Sequence, residues 1–277
     1  MTGRPAVARP SAASVRVLAP DCLAGRTALV TGAGTGIGRA VTLRLLALGA
    51  HVVGVGRRVE PLAETRASTD APERLRVEQL DIRDRSAVAT FVAGLDRLDL
   101  LVNNAGGQFV APATAISARG FGAVLDLNLT ATAHLTRTAR RALAAAGGRV
   151  VTLSLSAPDR GIAGLVHSTT ARAGMAALTR SLARQWAGEG IRLFCLAPGT
   201  VHTAGVAGEV PTQALDAGVR ASLLGRDTGL DEGAEWVAAM GSGVFDAVSG
   251  TAVELDGGAG LVDAAASLVP PSAEEPA

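Results

Sequence analysis

A chain of 277 residues, 48 % of them hydrophobic, can bury one large core, and no shift in composition argues for two. A formal net charge of +1 leaves no basic footprint for nucleic acid, and no apolar run reaches the length of a membrane span. Cys22 and Cys195 are the only cysteines, which excludes a disulfide framework and metal-ligand spacing and fits a reducing, cytoplasmic setting. Aromatic residues are only 3 %, so the core must be Ala, Val and Leu packing of the kind found in helix-covered parallel sheets. Every basic side chain apart from His is Arg, and the chain has no Lys and no Tyr.

Residues 1–20 read as a loosely ordered arm without the apolar stretch of a signal peptide, and 264–277 as a Pro- and Glu-rich tail. Between them, 21–263 read as one dinucleotide-binding catalytic domain. Thr27–Thr31 is a short apolar strand that runs into glycines. Arg39–Leu48 has helical periodicity, with Gly49 suited to end it. His51–Val55 is a second strand, followed by a helix over Glu60–Arg66. Arg76–Leu80 and Leu98–Val102 are further strands, and a single long helix is expected over Ala118–Ala145. The strand Arg149–Leu153, the helix Thr170–Gly188 and the strands Arg192–Leu196 and Ala252–Leu255 complete the pattern. Buried strands alternating with helices predict an α/β fold, a Rossmann-type doubly wound parallel sheet of about seven strands flanked by helices.

The turn after the first strand, Thr31-Gly32-Ala33-Gly34-Thr35-Gly36-Ile37-Gly38, has the spacing of a nicotinamide dinucleotide site. Gly32, Gly36 and Gly38 lack the Cβ atoms that would keep backbone from a pyrophosphate, and the helix that follows offers its positive end. Thr35 and Ile37 belong to the same turn. At the end of the second strand, where a carboxylate would hold the ribose hydroxyls of NAD, the chain has Gly56 followed by Arg57 and Arg58. Those guanidiniums suit a 2′-phosphate, so NADP(H) is the expected cofactor. Asp81, with Ile82 beside it, is placed to meet the adenine edge. Asn104, Ala105 and Gly106 bring backbone to the cofactor at the next strand end.

Together with Asn128, Pro198–Thr203 and Asp256-Gly257-Gly258, these segments resemble the short-chain dehydrogenase/reductase family from about Leu23 to Leu261. The resemblance implies a seven-stranded sheet and a homo-oligomer, tetramer or dimer. It also implies that Pro198, Gly199, Thr200 and Val201 hold the nicotinamide, and that His202–Arg226 forms a substrate lid. The family's usual active site is Asn, Ser, Tyr and Lys. Asn128 matches the first, and Arg172 stands at the Lys position. The Tyr position is Ser168, and the Ser position falls on Leu155, between Ser154 and Ser156.

Without a phenolic acid the expected acceptor moves from a carbonyl to a conjugated C=C bond, whose reduction passes through an enolate that hydrogen-bond donors can stabilise. Asn103–Phe109, Val124–Thr130 and Val166–Leu182 resemble the trans-2-enoyl-CoA and 2,4-dienoyl-CoA reductase branch, and a 1-cyclohexenylcarbonyl-CoA reductase offers an alternative substrate. On that resemblance the substrate is an acyl-CoA or acyl-carrier thioester. Arg172 then reaches the nicotinamide ribose and places charge near the enolate. Ser168 is either a donor to the thioester oxygen or a helix N-cap. Asn128 either braces its helix or holds a catalytic water. His167 either protonates the α-carbon or is simply packed. Gln108 and Phe109 are candidates for the acyl pocket, and Arg83 for a CoA phosphate. Two other readings stay open: an inactive NADP(H)-binding sensor or assembly protein, and a carbonyl reductase or alcohol dehydrogenase with an atypical proton donor.

Overall fold

The apolar runs become strands because Val and Leu side chains fill both faces of a covered sheet. In a computed structural model, described for residues 16–156, 161–203, 205 and 210–261, these are β1 (Thr27–Thr31), β2 (His51–Gly56), β3 (Leu75–Gln79), β4 (Leu100–Asn103), β5 (Arg149–Leu153), β6 (Arg192–Pro198) and β7 (Thr251–Leu255). All pair in parallel in the order β3-β2-β1-β4-β5-β6-β7. The chain reverses its direction of winding between β1 and β4, which opens a crevice at the carboxyl ends of those two strands.

Alternate residues of β1 serve opposite layers. Ala28 and Val30 pack with Leu45 and Leu46 of α1 (Gly36–Ala47) and with Val237 and Ala238 of a helix at Leu230–Ser242. Leu29 packs on the other side with Leu135, Leu143 and Trp186. Those three come from helices at Ala131–Thr138, Arg140–Ala146 and Val166–Trp186. The remaining helices are α2 (Val59–Ala67), α3 (Arg85–Ala93), α4 (Ala118–Leu125) and α8 (Thr212–Ala221); the four already placed are α5, α6, α7 and α9 in chain order. Caps set several of the starts: Asp84 accepts from Ala87 N at 2.9 Å, and Ser117 from Gly120 N at 3.1 Å.

Three expectations change. The single helix over Ala118–Ala145 is divided by a π-turn at Asp126–Thr130 and broken again at Ala139. The extra residue of a π-turn re-aims the side chains that follow, and Asn128 lies inside it. The helix expected from Thr170 begins at Val166, four residues earlier, so His167 and Ser168 lie in its first turn, with Leu165 at the N-cap. Ser168 is therefore not the cap. The helices α3, α8 and α9 were not expected. The first 15 residues of the arm, the tail, and residues 204 and 206–209 of the expected lid lie outside the described residues.

Candidate active site

Beyond β1 the backbone turns through Gly32 (φ +68°), whose N–H donates to Val55 O at 2.8 Å, and Gly36 (φ +53°). Both conformations favour glycine. Thr31 ties this turn to the end of β4: its Oγ1 donates to Val102 O at 3.2 Å and accepts from Asn104 N and Ala105 N, both at 2.9 Å. The Asn104 amide completes the clamp with a bond to Thr31 O at 2.9 Å. Gly38, expected among the cofactor contacts, is buried beneath the turn instead. A methyl group there would run into the Gly32 carbonyl oxygen and the Asn104 amide nitrogen, so its role is to let helix and turn approach.

The turn forms one wall of a cavity of about 760 Å³, ample for a dinucleotide. At the end beside β2 and β3 stand Gly56, Arg57, Arg58, Asp81 and Ile82. Asp81 accepts from the Arg83 side chain at 3.0 Å and 2.5 Å and from Arg83 N at 3.0 Å. The hydrogen bonds from Arg83 hold its carboxyl below the ordinary aspartate range, against the opposing effect of burial. Arg83, expected to meet a CoA phosphate, thus spends its guanidinium on Asp81 and does not line the cavity.

At the other end the wall is made by Ala105, Gly106, Gln108, Leu127, Leu155 and Arg172, with Pro198, Gly199, Thr200 and Val201 from the end of β6. The Arg172 guanidinium donates to Leu153 O at 2.7 Å, and its backbone carbonyl accepts from Ser154 Oγ at 3.3 Å. Asn128, wholly buried, accepts from Gly107 N at 3.0 Å and donates to Gly107 O at 2.9 Å. Gly106 fits between Asn128 and Arg172, both 3.0 Å from where a Cβ would stand. Asn128 therefore fixes the loop after β4 from behind instead of lining the cavity.

Ser168 and His167 are also fully buried and absent from the cavity wall. Ser168 Oγ donates to Gln108 Oε1 at 2.7 Å, so it reaches the cavity only through Gln108. His167 packs edge-on against Phe109, ring centroids 4.3 Å apart, and neither ring nitrogen has a hydrogen-bond partner. Phe109 stands off the wall too, 37 % exposed beside it. The helical period explains this outcome: Arg172 lies one turn beyond Ser168, and its longer side chain spans what the hydroxyl does not.

Sequence reading missed other parts. Thr203 overlies Gly36, its side-chain carbons 3.2 and 3.3 Å from a Cβ placed there. In the expected lid, α8 brings Leu215 and Ala221 to the cavity, and its Gly218 lies so close to Thr200 Oγ1 that no side chain would fit between. Nothing in the composition of that segment marks Gly218. Among the described residues no cluster of His, Cys, Asp and Glu could hold a metal, and no helix is long and apolar enough to cross a membrane.

A glycine turn at the switch point of this strand order, continued by contacts at the ends of β2 to β6, defines a nicotinamide-dependent oxidoreductase. The chain belongs to the short chain dehydrogenase family, matched over residues 26–214, which binds NAD(P). It is 32 % identical to the peroxisomal 2,4-dienoyl-CoA reductase of Pongo abelii, over 87 % of this chain and 86 % of that protein. It is 36 % identical to the cis-4-hydroxycyclohexanecarboxylate dehydrogenase of Sinomonas cyclohexanicum, over 86 % and 98 %. Among solved structures, an actinorhodin polyketide ketoreductase with NADPH aligns with a TM-score of 0.79 at 26 % identity, covering 85 % of this chain and 97 % of that one.

Proposed function

We propose that the protein is an NADPH-dependent reductase of the C=C bond of an α,β-unsaturated acyl thioester. One observation carries the reading: the hydroxyl of Ser168, which we read as standing at the family's tyrosine position, is committed to Gln108 Oε1 at 2.7 Å. With that oxygen occupied, the Gln108 amide N–H groups are left for the cavity that the residue lines. They suit an oxygen that gains negative charge without having to accept a proton.

Cofactor choice follows from the adenosine end. Gly56 leaves no carboxylate to repel a 2′-phosphate, and Arg57 and Arg58 stand at the cavity wall with no acidic partner at salt-bridge distance among the described residues. When bound, the reduced nicotinamide supplies the hydride for the β-carbon. Arg172 orients the ribose and adds a fixed positive charge; a guanidinium keeps its proton, so Arg172 stabilises charge without passing a proton on. The Gln108 amide meets the thioester oxygen, and Leu155 presents an apolar surface to the acyl group. The ionisable groups among the described cavity-lining residues are Arg57, Arg58, Asp81 and Arg172, so the α-carbon takes its proton from water. The similarity to a 2,4-dienoyl-CoA reductase supports an acyl-CoA substrate.

The test is the absorbance of NADPH during mixing with crotonyl-CoA, a longer enoyl-CoA and cyclohexenylcarbonyl-CoA. Oxidation matched by saturated thioester supports the reading. No oxidation with any acyl-CoA or acyl-carrier thioester would overturn it. Reduction of NADP⁺ by an alicyclic hydroxy acid would replace it with the alcohol dehydrogenase reading.

A further inference from the structure

The loop after β4 and the loop before α7 meet beside the reacting end of the cavity, joined by a hydrogen bond from Ala111 N to Gly164 O at 3.0 Å. Gly164 takes a left-handed conformation (φ +83°), and a Cβ there would press on Val110 at 3.0 Å, so the loops are in close contact. Each carries large apolar side chains into solvent: Phe109 and Val110 on the first at 37 % and 41 %, Ile162 and Val166 on the second region at 38 % and 39 %. Val110 and Ile162 also line the cavity, while the Phe109 ring rests on His167, next to Val166. Apolar surface therefore continues from the cavity wall to the outside of the protein along this seam. Such continuity is unusual for a surface with no occupant.

We propose that this seam carries the far end of the substrate's acyl chain, so that the enzyme acts on enoyl thioesters whose tails are too long for the cavity to enclose. The inference rests on the thioester reading and adds the class of acyl group. An alkyl tail fits the seam better than the other arm of the substrate. A pantetheine arm carries amides that need hydrogen-bond partners, whereas Phe109, Val110, Ile162 and Val166 offer only hydrocarbon. Because the seam covers one side of the tail, each further carbon should gain about half of a full burial, roughly a twofold rise in kcat/KM.

The experiment compares kcat/KM for crotonyl-, octenoyl- and dodecenoyl-CoA in the full chain, in Val166→Asp and in Val110→Ser, with NADPH binding followed by fluorescence as the check on folding. Val244→Asp is the surface control; Val244 follows α9 and lies near Arg149, at the opposite end of β5 from the site. The proposal expects kcat/KM to rise with chain length in the parent. It expects the loss in both seam variants to be smallest for crotonyl-CoA and largest for dodecenoyl-CoA, with the control unchanged. A parent profile that is flat or favours crotonyl-CoA overturns the proposal while leaving the reductase reading intact. So does a Val166→Asp variant that alters oligomeric state by light scattering but keeps the parent's chain-length profile, since the seam would then belong to a second copy. Absence of turnover with every thioester is instead the failure of the reductase reading itself.

Discussion

Ser168 and Gln108 lie 60 residues apart and share a hydrogen bond of 2.7 Å, with the serine hydroxyl as donor and the glutamine Oε1 as acceptor. The serine is wholly buried while the glutamine lines the cavity, so in the proposed reaction the first would orient the second against the substrate. Gln108→Ala should lower kcat for an enoyl-CoA about 100-fold, the usual effect of removing one oxyanion donor. Ser168→Ala should lower it about tenfold by freeing the amide to rotate. The double variant should be little worse than Gln108→Ala alone, because the residues act as a unit. Steady-state kinetics of the four proteins check this; additive losses would separate the two roles.

Cofactor preference should turn on a single position. A Cβ at Gly56 would meet no clash, since its nearest neighbour, Leu62, would lie at an ordinary contact distance of 3.6 Å. Gly56→Asp should therefore fold and bring a carboxylate to the ribose, reversing the preference from NADPH to NADH. Arg57→Ala with Arg58→Ala should weaken NADPH binding by roughly 10- to 100-fold, the worth of a charge-assisted hydrogen bond or two, and leave NADH almost unaffected. Fluorescence titration with both nucleotides decides it.

Arg172→Ala should lose both nicotinamide binding and turnover, whereas Arg172→Lys should keep a cation there but lose the planar fork that bonds Leu153 O and, in the proposed complex, would reach the ribose. The lysine variant is expected to retain NADPH affinity within about tenfold, one hydrogen bond's worth. Calorimetric titration with NADPH and single-turnover kinetics separate the two effects.

Two glycines should respond in opposite directions. Gly38→Ala would force apart the Gly32 carbonyl and the Asn104 amide, so it should abolish dinucleotide binding and lower the melting temperature. Gly122, within α4, has nothing within 4 Å of a new Cβ. Gly122→Ala should raise stability by up to about 1 kcal/mol, from helix propensity alone. Thermal melts with and without NADPH provide the comparison.

Acid stability should depend on Glu235. Burial pushes its carboxyl up, but the hydrogen bonds from Arg44, at 2.6 and 3.2 Å, and from Val17 N and Leu18 N outweigh burial and hold it below the ordinary glutamate range. The folded protein therefore binds this proton less readily than the unfolded chain. The contribution is complete above the unfolded pKa and is lost as pH falls through the folded one. Glu235→Ala, which strands a buried Arg44, should cost about 3 kcal/mol at neutral pH and flatten the acid limb of a urea-denaturation series.

Much of the fold and the glycine turn was legible in the chain. Strands such as Thr27–Thr31 and Arg149–Leu153 are short and buried around Ala28–Val30 and Val150–Val151, a pattern that survives any detail of packing. Gly32 and Gly36 are where the turn demands left-handed backbone. The reacting end was less legible. His167, Ser168, Asn128 and Phe109 were candidates for direct contact, and each stands back from the wall that Gln108, Leu127 and Leu155 form. Residue type names the chemistry a side chain can do, but a shift of helix start from Thr170 to Val166, or a π-turn at Asn128, changes the direction in which it is presented.

By itself, then, the sequence determined that a parallel sheet would carry a glycine turn for a dinucleotide, with two arginines and no carboxylate after the second strand and no phenol anywhere. Those features depend on local backbone freedom, on hydrophobic periodicity and on composition. Only the tertiary structure decided that Ser168 would bond to Gln108, that Arg83 would turn back to Asp81, and that Asn128 would brace Gly107. Such pairings depend on which loops the sheet brings together and on the burial that makes an unpartnered polar group costly, and neither is written in the spacing of residues along the chain.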